Sequence, residues 1–252
     1  MRRDRWIVTP RFFEQPEPAL LQAAPPDAHL NDIEIARRTP PELAILHGGI
    51  RRFVEEALGE GRRPVSLAGD CCAALPVLAG MQRAGIEPDV VWIDAHGDFN
   101  TPATSPSQFL GGMPLAMMVG RAAQWMMEGA KAEPIAEERV LLADARDLDP
   151  EEAEALAASR VTHVALVEIA EIEFDDPLLL HLDADVIDAR ECPAFAYPVE
   201  GGPSPAEVAA ALADLGRRAD IAAVSISGWS GRLDRDGRTA HTVGRVLEAI
   251  FS

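Results

Sequence analysis

Short apolar runs alternate with segments of helical periodicity along the whole chain. The strand-like runs are RWIVTP (5–10), PVSLAG (64–69), DVVWIDA (89–95), RVLLADA (139–145), VTHVALV (161–167), LLLHLDADV (178–186) and IAAVSISGW (221–229). Between them, 41–61, 73–85, 113–122, 149–159, 204–218 and 242–251 carry apolar residues at amphipathic-helix spacing. Pro76 is expected to interrupt the second of these, and the acidic first turn of 149–159 suits a helix N-terminus. Strands that alternate with helices in this way form a parallel sheet covered on both faces. The expectation is a three-layer α/β sandwich with a central parallel sheet of about eight strands, built as one domain over 1–252. The Pro-rich stretch 14–41 fits neither period and reads as a long surface excursion.

Charge narrows the partners. Forty-one acidic residues against 23 basic ones give a formal charge of −18 over 252 residues, which repels nucleic acid and anionic membrane surfaces. No apolar run approaches the ~20 residues of a membrane helix, and the N-terminal MRRDRWIVTP lacks the apolar stretch of a signal peptide. A cytoplasmic protein acting on a small molecule is expected, as a monomer or homo-oligomer. Three cysteines, two adjacent at Cys71 and Cys72, make no disulfide framework.

The chemistry sits where strands end. DVVWIDA runs into Asp94, His96 and Asp98, and LLLHLDADV ends in Asp183 and Asp185, both sets at alternate positions that share a face. Asp70 and Cys71 follow a third strand, and Arg146 to Asp149 a fourth. Ligands of open α/β sheets bind outside the carboxyl ends of the strands, so the four segments point to one composite site. Carboxylates mixed with imidazole favour manganese, with zinc, iron or cobalt as alternatives. Otherwise these acids cap helices or pair with Arg146 and Arg190.

DAHGDFNTP, SPSQFLGGMP and HLDADVIDARECPAFAYPVEGG, in that order within 66–202, resemble the arginase and agmatinase (ureohydrolase) superfamily. The resemblance implies an arginase-like fold and a binuclear manganese site. It implies that Asp94 and Asp183 bridge the ions, that His96 and Asp185 complete the second position, and that Asp98 is both ligand and proton carrier. Asp147, Asp149 and Glu152 match a segment that holds a substrate α-amino group, unless RDLDPEE serves only to pair Arg146 and cap the next helix. Asn100 and Ser107 match pocket residues.

The departures alter the substrate. Cys71 stands where the family has a ligating histidine, which leaves it either a ligand that admits zinc or iron(II) or a small buried thiol. Cys72 should face away, and Cys192 has no evident partner. Gly111 replaces a histidine proton shuttle, and Phe109 an asparagine that reads the substrate carboxylate. On the last strand the family places a carboxylate opposite the guanidinium, but here Ser225 and Gly228 occupy the acidic positions. A leaving-group pocket of Phe109, Tyr197, Ser227, Gly228 and Trp229 is expected instead. His181 reads as a core or supporting residue before a ligand. Cysteine for histidine together with GGM is most similar to the hydroxyarginine-hydrolysing branch, which keeps the guanidinium acid.

The expected activity is metal-dependent hydrolysis of a non-peptide C–N bond in a guanidine, amidine or amide, amino-acid-like but not arginine itself. The rival is an arginase-fold binding or regulatory protein without turnover. A deacetylase-like zinc enzyme would need a tandem histidine pair, a serine hydrolase a GxSxG elbow and an NTPase a GxxxxGK[ST] loop, and the sequence has none of these.

Overall fold

The computed structural model describes residues 4–251; Arg2 and Arg3, which entered the reading of the N-terminus, lie outside them. The chain opens with β1 (Asp4–Thr9), a hairpin of β2 (Arg11–Phe12) and β3 (Gln15–Pro16), α1 (Leu20–Ala23), β4 (His29–Leu30) and α2 (Pro40–Gly59). β5 (Arg63–Ala68), α3 (Ala74–Arg83), β6 (Asp89–His96), α4 (Pro114–Met118), α5 (Gln124–Ala130), β7 (Val140–Asp147) and α6 (Pro150–Ala157) follow. The rest is β8 (Thr162–Val164), β9 (Leu178–Asp183), α7 (Pro205–Arg218), β10 (Ile221–Ser227) and α8 (Arg238–Glu248).

Eight strands form one parallel sheet in the order β4-β1-β5-β10-β9-β6-β7-β8. Because side chains alternate across a strand, each buried strand feeds two cores. Val90 and Trp92 of β6 pack into the cluster covered by α2, α3, α4 and α5, while Val91 and Ile93 pack into the one covered by α7 and α8. The runs are therefore apolar throughout rather than alternating, as a sheet buried on both faces requires. The three-layer expectation matches this architecture.

Several boundaries differ from the expectation. The stretch 14–41 is more than a surface excursion: β4 supplies the eighth strand, and Leu20 is fully buried. A two-residue edge strand is too short for periodicity to reveal. Pro76 does not interrupt α3, because the helix begins at Ala74 and Pro76 falls in its first turn, where no backbone N–H is needed. Segment 113–122 yields only the short α4; Gly120 then takes φ +84°, and the unanticipated α5 follows. The 161–167 run pairs only over β8, and the 178–186 strand stops at Asp183, where Ala184–Val186 turns.

Strand order explains why distant segments meet. β5, β10, β9, β6 and β7 are consecutive neighbours, so the chain leaving the carboxyl ends of β5, β9, β6 and β7 converges on one rim.

Candidate metal centre and pocket

On β6, Trp92, Asp94 and His96 share a face; on β9, Leu179, His181 and Asp183 do so. Asp94, Asp98, Asp183 and Asp185 are each at most 4 % exposed. Among the described residues Asp94 and Asp185 pair with His96, whose Nδ1 lies 3.3 Å from both Asp94 Oδ1 and Asp185 Oδ2. The arginines are engaged elsewhere. Arg146 pairs with Asp144 and donates to the carbonyls of Val186 and Val199, and Arg190 pairs with Asp188. Four buried carboxylates with no arginine or lysine beside them are costly unless a cation joins them.

The backbone holds the group in place. Asp183 Oδ1 accepts from the Asp185 amide at 2.9 Å, and Asp94 Oδ1 from the His96 amide at 2.7 Å. Trp92 Nε1 donates to Asp94 Oδ2 at 3.3 Å. Cys71 Sγ lies 2.9 Å from Asp183 Oδ2 and 3.2 Å from Ser227 Oγ. Asp98 sits at φ +49°, a left-handed conformation uncommon for aspartate, while its carbonyl accepts from Leu115 and Ala116 at the start of α4.

The electrostatics follow from burial and crowding. Burial, with Asp94 and Asp183 alongside, raises the Asp98 carboxyl well above the ordinary range; burial, with Asp183 and Asp94, does the same to Asp185, and Asp183 is raised by burial and by Asp94. Burial pushes the Cys71 thiol well up, helped by Asp183, Asp98 and Asp94. Burial alone would lower His96, but its hydrogen bonds to Asp185 and Asp94 push it up to about 12. Burial takes His181 down to about 3.

Two sets of ligand atoms approach closely enough to hold an ion. Cys71, Asp94, His181 and Asp183 form one; Asp94, His96 and Asp185 form the other, each within 4.8 Å of its fellows. Asp98 Oδ2 and Asp185 Oδ1 are buried without any hydrogen-bond partner. Orphaned anionic atoms at the meeting point of two donor sets are what a cation pair would satisfy, so the residues present fit the metals.

A cavity of about 250 Å³ opens above this floor. Asn100, Ser107, Phe109, Asp147, Asp149, Glu152, Tyr197 and Gly228 all line it, with Cys71, Asp94, His96, Asp98, Asp183 and Asp185 at its base. Phe109 stacks on Phe12 at 6.0 Å and meets Tyr197 at 5.2 Å, giving the cavity an aromatic side. The opposite side is acidic but partly self-engaged. Glu152 accepts from the amides of Phe99 and Asp149, and Asp149 accepts from Asn100 Nδ2. Asp147, with its side chain 64 % exposed, lies 3.9 Å from His96 Nε2 and faces solvent.

Trp229 corrects the sequence reading. Following Gly228, its indole turns away from the cavity, becomes buried and donates to Asp234. Ser227 lies behind Cys71 rather than along the pocket. Cys72 faces away, with Sγ toward the Leu110 carbonyl, and Cys192 does have a partner in Thr242. Phe12 lines the cavity unforeseen, Asp70 lines it from a strand end where the composite site was expected, and His181, read as a core or supporting residue before a ligand, lies within a donor set. For His181 the signal was available: it stands two residues before Asp183 on one strand.

A family model described as the Arginase family matches residues 22–252. An arginase from Brevibacillus brevis is 30 % identical over 219 residues, covering 80 % of this chain and 73 % of the relative. The crystal structure of arginase from Bacillus caldovelox superposes with a TM-score of 0.87 at 24 % identity, covering all of this chain and 99 % of that one. Formimidoylglutamase from Bacillus subtilis shares the fold at a TM-score of 0.75 and 16 % identity, covering 99 % of this chain and 86 % of that one.

Proposed function

The chain belongs to the Arginase family, and from that premise we propose that it hydrolyses a non-peptide C–N bond in a small guanidine, amidine or amide, amino-acid-like but other than arginine. The observation that carries this reading is the floor of the cavity, where buried carboxylates, an imidazole and a thiol converge with no arginine or lysine paired to them among the described residues. In this reading Cys71, Asp94, Asp98, Asp183, His96 and Asp185 would hold the cations, Cys71 and Asp98 on the inner side and His96 and Asp185 on the outer. Manganese suits the oxygen and imidazole donors, while Cys71 admits zinc or iron(II). Bound there, the ions would lower the pKa of water and stabilise negative charge at the attacked carbon.

The side chains supply the rest. Asp98 keeps Oδ2 free of hydrogen bonds among the described residues, which suits a group that takes a proton from the attacking water and returns it to the leaving nitrogen. Asp147 offers an exposed carboxylate to a substrate amino group, with Asn100 and Asp149 held rigidly beside it. Phe109 and Tyr197 form an aromatic wall. Gly228 leaves no anion opposite the leaving group. A desolvated guanidinium without its carboxylate partner costs several kcal/mol, which disfavours arginine and favours a neutral or weakly basic group. One fold neighbour is a formimidoylglutamase, which supports including amidines. Three free cysteines suit a reducing cytoplasm.

One observation favours the second reading, a binding protein without turnover: Gly111 leaves the mouth of the cavity without a proton-shuttling histidine. A screen of guanidino, amidino and amide amino acids, with manganese or zinc supplied, separates the two readings. Release of urea, ammonia or a free amine, abolished in Asp98→Asn, supports the hydrolase. Tight binding of such compounds with no bond cleaved supports the binder.

A further inference from the structure

We infer that His181 is a ligand of the inner cation position, so that Cys71, Asp94, His181 and Asp183 make a sulfur, nitrogen and oxygen set unlike the all-oxygen-and-imidazole set beside it. This rests on the reading that the cavity floor holds metal.

His181 is fully buried, and its Nδ1 has no hydrogen-bond partner among the described residues. Nε2 reaches only Ser227 Oγ, at 3.4 Å, and that hydroxyl is 3.1 Å from Asp183 Oδ2 and 3.2 Å from Cys71 Sγ. The ring therefore borders the same small space as the thiol and the carboxylate, and a ring nitrogen falls within 4.8 Å of every other donor in the set. Its plane is fixed by Trp92, whose indole stacks on it with centroids 3.7 Å apart. The same indole donates to Asp94 Oδ2. One tryptophan thus orients two donors of the set, the outer-shell support that metal ligands typically receive.

The chemistry of the two positions then diverges. A thiolate with an imidazole and carboxylates matches zinc, iron(II) or cobalt, whereas His96, Asp185 and the shared Asp94 match manganese. The replacement of an imidazole by Cys71 at one corner is answered by an imidazole at another, His181, and the pair of ions becomes one soft and one hard. The inner position should fill first with zinc, even in the presence of excess manganese.

The test uses His96→Ala protein stripped of metal and given one equivalent of zinc, so that His181 is the one imidazole left in either set. X-ray absorption at the zinc edge is expected to show one sulfur at about 2.3 Å and one imidazole nitrogen at about 2.0–2.1 Å. Wild-type protein titrated with cobalt(II) should develop a thiolate charge-transfer band complete at the first equivalent. Cys71→Ser should abolish the band, and His181→Asn should weaken first-site affinity by about ten-fold or more. If His181→Asn does not fold, the zinc spectrum decides alone. Bound zinc with sulfur but no imidazole overturns the role of His181 and leaves the hydrolase reading intact. Bound zinc without sulfur overturns the mixed set. No binding of zinc, cobalt or manganese defeats both this inference and the function it rests on.

Discussion

A Cβ built on Gly228 would stand 1.7 Å from Asp183 Oδ1, and Gly228 itself holds φ +90°. The residue at the position where the resemblance implies a guanidinium acid is thus pinned between a left-handed backbone and a proposed metal ligand. Only glycine meets both demands without strain.

Restoring the acid should therefore fail. Gly228→Glu is expected to displace Asp183 and lose bound metal, with no gain of arginine hydrolysis. Elemental analysis and a urea assay check this; arginine turnover by Gly228→Glu with full metal content would contradict it.

Gly111 and Phe109 are coupled in the same manner. A Cβ on Gly111 would meet Phe109 Cε1 at 2.3 Å and Cζ at 2.5 Å, and that ring is packed by Phe12, Phe13 and Tyr197. Gly111→His alone should cost about 1–3 kcal/mol of stability as an overpacking change. Combining it with Phe109→Asn should recover much of that loss. Chemical denaturation of the two single variants and the double variant measures the coupling, and strict additivity would show that the two positions are independent.

Glu152 is buried and bridges the amides of Phe99 and Asp149, which ties the loop after β6 to the start of α6. Glu152→Ala should cost about 1–3 kcal/mol by orphaning a buried amide and should loosen Asp98, which precedes Phe99. Urea unfolding together with metal affinity is the check. An unchanged unfolding midpoint and unchanged affinity would refute the bridging role.

The metal-free protein should lose stability as pH rises above the ordinary histidine value. Burial and neighbouring carboxylates raise Asp98, Asp183 and Asp185, so the folded chain keeps protons that the unfolded chain releases above the ordinary carboxyl range. His96 acts in the same direction. Burial opposes its charge, yet Asp185 and Asp94 push it up to about 12, so its contribution is full below the ordinary histidine value and is lost as pH climbs toward about 12. Each unit of difference between states is worth about 1.4 kcal/mol. Burial holds His181 at about 3 and His47 at about 4, which adds stability as pH rises through the ordinary histidine value, so the metal-free melting temperature should fall above it, between about pH 7 and about pH 9. Metal affinity should rise over the same interval because the ligands must deprotonate. A metal-free melting temperature that climbs with pH over this interval would contradict these shifts.

The fold was legible because runs such as VVWI and LLLHL are apolar at successive positions, which only a sheet covered on both faces explains, and because each ends in carboxylates. Convergence of the ligand loops followed from placing those ends on one rim. What escaped had little periodic signal: β4 is two residues long, and α5 begins after a left-handed Ala123. Trp229 was misplaced because proximity in sequence to Gly228 says nothing about which way an indole turns where the backbone changes hand. His181 was read as a core or supporting residue before a ligand because a lone histidine in an apolar run more often serves the core. Its stacking on Trp92 and its unpartnered nitrogen emerge only in three dimensions.

The central claim is that the rim of β5, β9, β6 and β7 holds divalent cations. Anomalous diffraction from crystals grown with manganese and zinc tests it most directly. Two peaks are expected about 3.5–4 Å apart, flanked by Asp94 and Asp183, with the zinc signal on the Cys71 side. A map without anomalous density at this rim, its aspartates protonated or turned toward arginines, would contradict the account.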